Sequence, residues 1–95
     1  MIRVVAKMTI SPEAKDNALP IIDELISATV QEEGCVNYNF CQDTENPDAY
    51  AILETWETPE TLDAHGKSEH FTRLVPQLAA LATGEVQITA YLVLL

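Results

Sequence analysis

The order of strand-like and helix-like segments leaves few folds open to this chain. Apolar and polar residues alternate in four stretches, a pattern that favours strands with one apolar face. These stretches are residues 2–10, 35–43, 50–57 and 85–94. One helical region separates the first two stretches, and a second precedes the last. The order β-α-β-β-α-β predicts an α+β, ferredoxin-like domain, in which a four-stranded antiparallel sheet carries two helices on one face.

Both helical regions begin with the same signal. Ser11-Pro12-Glu13 and Thr58-Pro59-Glu60 each supply an N-cap residue, a proline in the first turn and an acid behind it. The first helix is predicted to be stopped by Gly34. Pro20 lies inside this helix, and we expect a kink or a loose first turn there, because proline lacks an N–H and clashes with the carbonyl of Asp16.

The second helical region predicts two helices rather than one. A short helix runs through about Gly66, and Ser68 then caps a longer helix that Gly84 ends. Apolar residues of the longer helix recur at helical spacing and predict a core face. They are Phe71, Leu74, Val75, Leu78 and Leu81.

The second predicted strand is joined to the third by the polar turn 44–48, which favours an antiparallel hairpin. One face of this strand is predicted to carry Val36, Tyr38 and Phe40. Cys35 and Cys41 are six positions apart and therefore share a face. At ~3.3 Å per residue they lie roughly 20 Å apart, beyond the ~7 Å limit for a disulfide. We expect two free thiols.

The second face of the sheet is also partly apolar. Val5, Leu53, Tyr91 and Val93 oppose the main apolar rows of their strands. The chain ends in Leu92-Val93-Leu94-Leu95. Helices on one side cannot cover both faces, so a monomer would leave apolar sheet surface in water. A homodimer that buries this surface is the predicted assembly.

Composition excludes several classes of protein. Ninety-five residues form one domain, residues 1–95. The formal net charge of −10 repels phosphate backbones and anionic lipids, so we expect no nucleic-acid and no membrane partner. The N-terminus lacks the pattern of a signal peptide, and a cytoplasmic protein is expected. No nucleotide loop, nucleophile elbow or metal-ligand spacing is found, so neither a cofactor nor a metal is expected.

The third strand carries the residue with the clearest chemical potential. Tyr50, Ile52, Glu54 and Trp56 point the same way. Loss of hydration on this face would raise the pKa of Glu54 and make it a candidate base near neutral pH. The alternative is a structural carboxylate that bonds to the backbone or to a nearby cation. The candidate cations are Arg3, Lys7 and Arg73.

Two segments together resemble the antibiotic-biosynthesis monooxygenase superfamily. The first is Glu54-Thr-Trp56-Glu57, followed by His65, Ser68, His70 and Phe71. The second is Gly34-Cys35-Val-Asn-Tyr38 upstream. The resemblance runs from Ile2 to about Ala90. Members are small dimeric α/β-barrel proteins, many of which oxidise polycyclic phenols without a bound cofactor, and the resemblance implies that two copies of this sheet close into one barrel.

The resemblance also implies a set of site residues. Trp56 would form a flat wall for an aromatic substrate and donate its N–H to a substrate oxygen. His65, in Leu62-Asp63-Ala64-His65, would carry a proton, although a capping or packing role is equally open. Glu54 and His65 are thus the predicted catalytic residues. The predicted substrate-binding residues are Tyr38, Tyr50, Trp56, His70 and Phe71.

Departures from the family's branches narrow the expected function. The two polar positions of the heme-degrading branch fall at about Ala6 and Val75, so heme degradation is not expected. An asparagine of the aromatic-polyketide branch is replaced by Ile52. The chain is more similar to the quinol-oxidising branch, which implies a cofactor-independent monooxygenase acting on a quinol or polycyclic hydroxyaromatic.

Two other functions stay open. One is an isomerase of a small, phosphorylated signal or metabolite, for which the available cations are Arg3, Lys7, Lys67 and Arg73. The other is a non-catalytic module that binds a small molecule. Oxygen uptake with a hydroquinone would distinguish an oxygenase from both.

Overall fold

The computed structural model describes residues 1–95 and contains four strands and three helices. Along the chain these are β1 (Ile2–Thr9), α1 (Pro12–Thr29), β2 (Cys35–Gln42), β3 (Ala49–Trp56), α2 (Pro59–Gly66), α3 (Glu69–Leu81) and β4 (Thr83–Leu92). The predicted α+β, ferredoxin-like order is confirmed, with the second helical region divided into α2 and α3. No helix is both long enough and apolar enough to cross a membrane.

The four strands form one antiparallel sheet in the order β2-β3-β1-β4. The central strands pair with Val4 opposite Glu54 and Ala6 opposite Ile52. The core lies between the helices and one face of β1, β2 and β3, where apolar side chains pack at low exposure. The largest fully buried side chain is that of Trp56, at the end of β3.

The helix starts follow the sequence signals, and the helix ends differ from them. Thr58 and Thr61 form a reciprocal capping box, and the Ser68 hydroxyl accepts a hydrogen bond from the Phe71 N–H. Helix α1 continues through Pro20 to Thr29 without interruption. The prediction that Gly84 ends the last helix was wrong: α3 ends at Leu81, and Gly84 lies within β4.

Gly34 and Gly84 have a φ of +81° and +74°, which only glycine adopts readily. Gly84 lies where the β1–β4 register shifts between Lys7 and Thr9, so its conformation forms a bulge in the strand. Gly34 lies in the loop before β2, and a Cβ there would collide with the side chain of Thr61. This close approach brings the α1–β2 loop against the start of α2.

A bulge in β2 corrects two predictions about its faces. Cys35 pairs with Trp56 while Asn37 pairs with Thr55, so Val36 is an extra residue between them. The extra residue reverses the alternation. Val36 is therefore exposed and does not share the face of Tyr38 and Phe40. For the same reason Cys35 and Cys41 lie on opposite faces rather than on one, and both thiols are free.

Strand β4 is the uncovered edge of the molecule. Its helix-side row continues the core face of β1, with Ile88 opposite Ala6 and Leu92 opposite Ile2. Ile88 is nevertheless 58% exposed and Leu92 64% exposed, although Val86 of the same strand packs against the core. On the second face Tyr91 is 55% exposed. Both faces of β4 therefore present apolar side chains, and the predicted homodimer stays a prediction.

Candidate functional site

A cleft of about 440 Å³ lies between strand β4, the second half of α2 and the start of α3. Its lining includes Glu54 from the sheet, His65 from α2, Phe71 from α3 and Ile88 from β4. A narrower pocket continues beneath α3 and shares Glu54, Phe71 and Ile88 with the cleft. Glu54 is the one acidic residue of this narrow pocket, whose other walls are apolar or aromatic. The two spaces together could hold an aromatic ring against a carboxylate and an imidazole.

Glu54 is buried on the core face of β3, as its position in the alternation predicts. Its Oε1 accepts a hydrogen bond from the Trp56 Nε1–H at 2.9 Å. Burial raises the pKa of Glu54, the Trp56 hydrogen bond opposes this shift, and the nearby charge of Glu32 adds to it. None of the cations proposed as a structural partner bonds to it, since Arg73 instead pairs with Glu24 and Glu69 on the surface. A buried carboxylate with a raised pKa and no ion-pair partner is a candidate proton acceptor.

Trp56 contacts both predicted catalytic residues. Its N–H is donated to Glu54, and its ring lies 4.7 Å from the His65 ring, centroid to centroid. The indole is fully buried and does not line the cleft. The predicted stacking of a substrate on this ring would therefore require the side chain to move, whereas its support of Glu54 and His65 is direct.

His65 is buried in α2, with Tyr38 and Phe71 packed edge-on against its ring. Its Nδ1 lies 2.6 Å from Oε2 of Glu32. A carboxylate only accepts hydrogen bonds, so Nδ1 carries the proton and Nε2 has the free lone pair. Nε2 is buried and has no hydrogen-bond partner in the protein. Burial lowers the pKa of His65, although Glu32 opposes the shift. The ring is thus a neutral base beside the cleft.

Glu32 is a site residue that the sequence did not reveal. It lies in the loop after α1, and its Oε2 accepts hydrogen bonds from His65 Nδ1 and from His70 Nε2, the latter at 2.9 Å. The two histidines follow it by 33 and 38 positions, so no short motif connects the three residues. The signal that could have located it is Gly34, whose packing on Thr61 fixes the loop against α2.

Glu32, His65 and His70 are also residue types that bind Zn²⁺ and similar ions. One ligand atom of each lies within 4.8 Å of the others. The two imidazoles share a single carboxylate oxygen at hydrogen-bond distances, however, and this geometry satisfies that oxygen and the two ring nitrogens facing it without an ion. We therefore describe them as a hydrogen-bonded triad.

The structure brings most of the predicted site residues together. Tyr38 and Phe71 line the narrow pocket with Glu54, and burial strongly raises the pKa of the Tyr38 hydroxyl. His70 bonds to Glu32 and does not line the cleft. Tyr50 lies towards the other end of β3, where its ring stacks on Phe40 at 5.0 Å. The roles of these residues in substrate binding stay predictions.

A second cleft of about 440 Å³ lies at the far end of the sheet, beside the β2–β3 turn. Lys7, Cys41, Asp43, Tyr50 and Glu85 are among its lining residues. It contains neither predicted catalytic residue. The cleft that holds Glu54 and His65 is accordingly the better candidate for chemistry.

Comparisons with known proteins agree with this fold. The model of the family described as antibiotic biosynthesis monooxygenase matches residues 1–77. A crystal structure of an antibiotic biosynthesis monooxygenase is 35% identical, with a TM-score of 0.91 over 99% of both chains. A conserved protein from Methanosarcina mazei Go1 is 38% identical, with a TM-score of 0.92 over 95% of this chain and 89% of its own.

One relative is considerably longer than this chain. Protein sll1783 of Synechocystis is 23% identical over 88 residues, which cover 93% of this chain and 60% of that protein. The chain thus spans less than two thirds of that relative.

Proposed function

The chain belongs to the antibiotic biosynthesis monooxygenase family, and we propose that it oxidises a quinol or polycyclic hydroxyaromatic with O₂ and no bound cofactor. The observation that carries the proposal is that Glu54 and His65 line one cleft whose inner part is apolar. Burial moves the pKa of Glu54 up and that of His65 down, so the two move towards each other. A carboxylate and an imidazole with such values suit proton transfer near neutral pH.

The reaction balances without a further reductant. A hydroquinone and O₂ contain the atoms of one hydroxyquinone and one water, and the ring supplies the electrons. Removal of a hydroxyl proton gives an anion that can reduce O₂, and a C–O bond then forms at a ring carbon. When the O–O bond breaks, that carbon loses its proton and the distal oxygen leaves as water. The protein has to accept protons, return them and hold the ring.

Each proposed role rests on a feature of the cleft. Glu54 takes the hydroxyl proton, and Trp56 holds its carboxylate in place through the N–H bond. His65 is the second proton carrier, through Nε2. The apolar walls of the inner pocket limit the water around the substrate anion, which strengthens its interactions with these two groups.

We also propose a homodimer, as in the family that the sequence resembles. The support is the second face of the sheet, which no helix covers and on which Tyr91 of β4 is more than half exposed. Burial of this face against a second copy would remove its apolar surface from water.

Oxygen uptake by the purified protein with a panel of hydroquinones tests the proposed activity. Glu54→Gln should abolish uptake, because the amide keeps the shape of the side chain but cannot accept the proton. Glu57→Gln, an exposed acid three residues further along, is the matched control and should turn over normally. If Glu54→Gln and His65→Asn both retain full activity, the site is placed wrongly. If the wild type binds hydroquinones saturably without consuming oxygen, the protein is a binding module.

The isomerase alternative has less support from the cleft. Lys67 is the single cation that lines it, and its ammonium group already pairs with Asp63 at 2.9 Å. A phosphate group would therefore meet two acids, Glu54 and Asp63, and one lysine. We keep the oxidation of an uncharged hydroxyaromatic as the proposal.

A further inference from the structure

Three side chains from three segments meet at one carboxylate oxygen beside the cleft. Oε2 of Glu32, in the α1–β2 loop, lies 2.6 Å from Nδ1 of His65 and 2.9 Å from Nε2 of His70. His70 stands at the start of α3, where its Nε2 is also 3.2 Å from the Ser68 hydroxyl. The triad therefore links a loop, α2 and α3 through hydrogen bonds to a single atom.

The hydrogen bonds of the triad determine which ring nitrogen of His65 can accept a proton. Because Glu32 accepts at Nδ1, the proton of the neutral ring is held on that nitrogen, and the unbonded Nε2 is left as the acceptor. A buried imidazole with the opposite tautomer would present an N–H at that position and could not take a proton. The carboxylate also stabilises the imidazolium that forms when Nε2 is protonated.

We propose that Glu32 is the positioning residue of His65, and that His70 holds Glu32 in place through a second hydrogen bond to the same oxygen. The inference deepens the proposed function and rests on it. Of the three residues of the triad, His65 alone lines the cleft, so a substrate would contact His65 and not Glu32 or His70. Glu32 acts by fixing the tautomer and orientation of the ring, and His70 acts by fixing the shared oxygen.

A purely structural role for the triad is the competing explanation, since the same bonds fasten the α1–β2 loop to two helices. The two explanations differ in what they require of the His65 ring. Either role gives the Nδ1–H tautomer, because the bond to Glu32 requires it, but only a positioning role requires turnover to fall when that tautomer is lost. The tautomer and kcat, measured on the same variants, therefore separate them.

The chain contains two histidines, both in the triad, so ¹⁵N NMR of the imidazole nitrogens reports on this site alone. His70→Asn assigns the two rings. The wild type at neutral pH should show a protonated Nδ1 and an unprotonated Nε2 for His65, and Glu32→Ala should give a mixture of tautomers. Protonated Nε2 in the wild type would overturn the inference even if the enzyme turned over hydroquinones.

Kinetics supply the second readout. Glu32→Gln should lower kcat about 10- to 100-fold, the range for groups that orient a functional histidine, with little change in KM. Glu32→Asp should recover part of the loss, and His70→Asn should lose less than Glu32→Gln. Glu33→Gln, the exposed neighbouring acid, is the matched control and should leave kcat unchanged. Full kcat in Glu32→Gln, with the wild-type tautomer retained, would leave only the fastening role.

The pH dependence of these variants has to allow for every group around the ring. Besides Glu32 and His70, the titratable side chains near His65 are Glu54 on β3, Tyr38 on β2 and, on the wall of the cleft, Asp63 and Lys67. The acid limb of the kcat profile should move to lower pH in Glu32→Gln, because the lost contact with Glu32 is one that raises the pKa of His65. A chelator is the last control, because loss of activity with EDTA, together with release of a divalent ion that Glu32→Gln cannot bind, would make the triad a metal site.

Discussion

Burial has opposite consequences for the two proton carriers of the cleft. It raises the pKa of Glu54 and lowers that of His65, because in each case the charged form loses hydration. The hydrogen bonds to Trp56 and Glu32 oppose these shifts without removing them. The same contacts that make the two groups useful in catalysis also make folding depend on pH.

Glu54→Gln is therefore predicted to change the pH dependence of stability. The folded protein binds the Glu54 proton more tightly than the unfolded chain, so this group contributes its full stabilisation at low pH. That contribution is lost as the pH rises from 4.5, the ordinary value, through the raised pKa. The free energy of unfolding of Glu54→Gln minus that of the wild type should become more positive as the pH rises through this range, as measured by urea denaturation at several pH values. A constant difference, equal to that of Glu57→Gln, would contradict the raised pKa.

At the scale of the elements, the sequence predicts what is decided locally. The strands alternate, and Ser11, Thr58 and Ser68 mark the helix starts, because caps and alternation depend on adjacent residues. The bulge at Val36 could not be predicted, since it appears only when β2 is aligned with β3. Gly84 was predicted to end the helix because glycine often adopts a left-handed conformation there. The same conformation suits a β-bulge, and the sequence alone does not distinguish the two.

In the candidate site too, contacts between residues close in sequence were predicted and contacts that depend on tertiary packing were not. Glu54 and Trp56 were predicted as a pair because they are two residues apart on one strand, and their hydrogen bond follows from that spacing. Glu32 was missed because its contact with His65 depends on how the α1–β2 loop packs on α2. Tyr50 was included because it shares a face of β3 with Glu54, although four residues of strand hold the two ~13 Å apart.

The α1–β2 loop yields a prediction about Gly34. Gly34→Ala should destabilise the fold by more than the ~1–2 kcal/mol expected for a left-handed alanine, because its Cβ also collides with Thr61. Gly84→Ala is the matched control, since it has the same backbone conformation and no atom within 4 Å of the added Cβ. Chemical denaturation of both variants separates strain from collision. Equal losses would show that the loop does not press on α2.

At the scale of the whole molecule, the two faces of strand β4 have different roles. Its helix-side row forms the outer wall of the cleft through Ile88, while its second face carries Tyr91. The helices leave Ile88 of this strand more than half exposed, so the cleft is open on the side of β4. The acidic surface, at a net charge of −10, disfavours nucleic acid and anionic lipid as the covering partner.

We therefore expect a second copy of the chain to cover the exposed apolar surface of β4. Which face of the strand lies in the dimer interface can be tested. If the second faces of two sheets pack together, light scattering should give about twice the 10.5 kDa chain mass at micromolar concentration. Tyr91→Asp should then produce a monomer, because it places a charge within the interface. Ile88→Asp, on the same strand but facing the cleft, should stay dimeric and lose substrate binding instead. A monomeric wild type would refute the dimer, and dissociation by Ile88→Asp alone would place the interface on the helix-side face of β4.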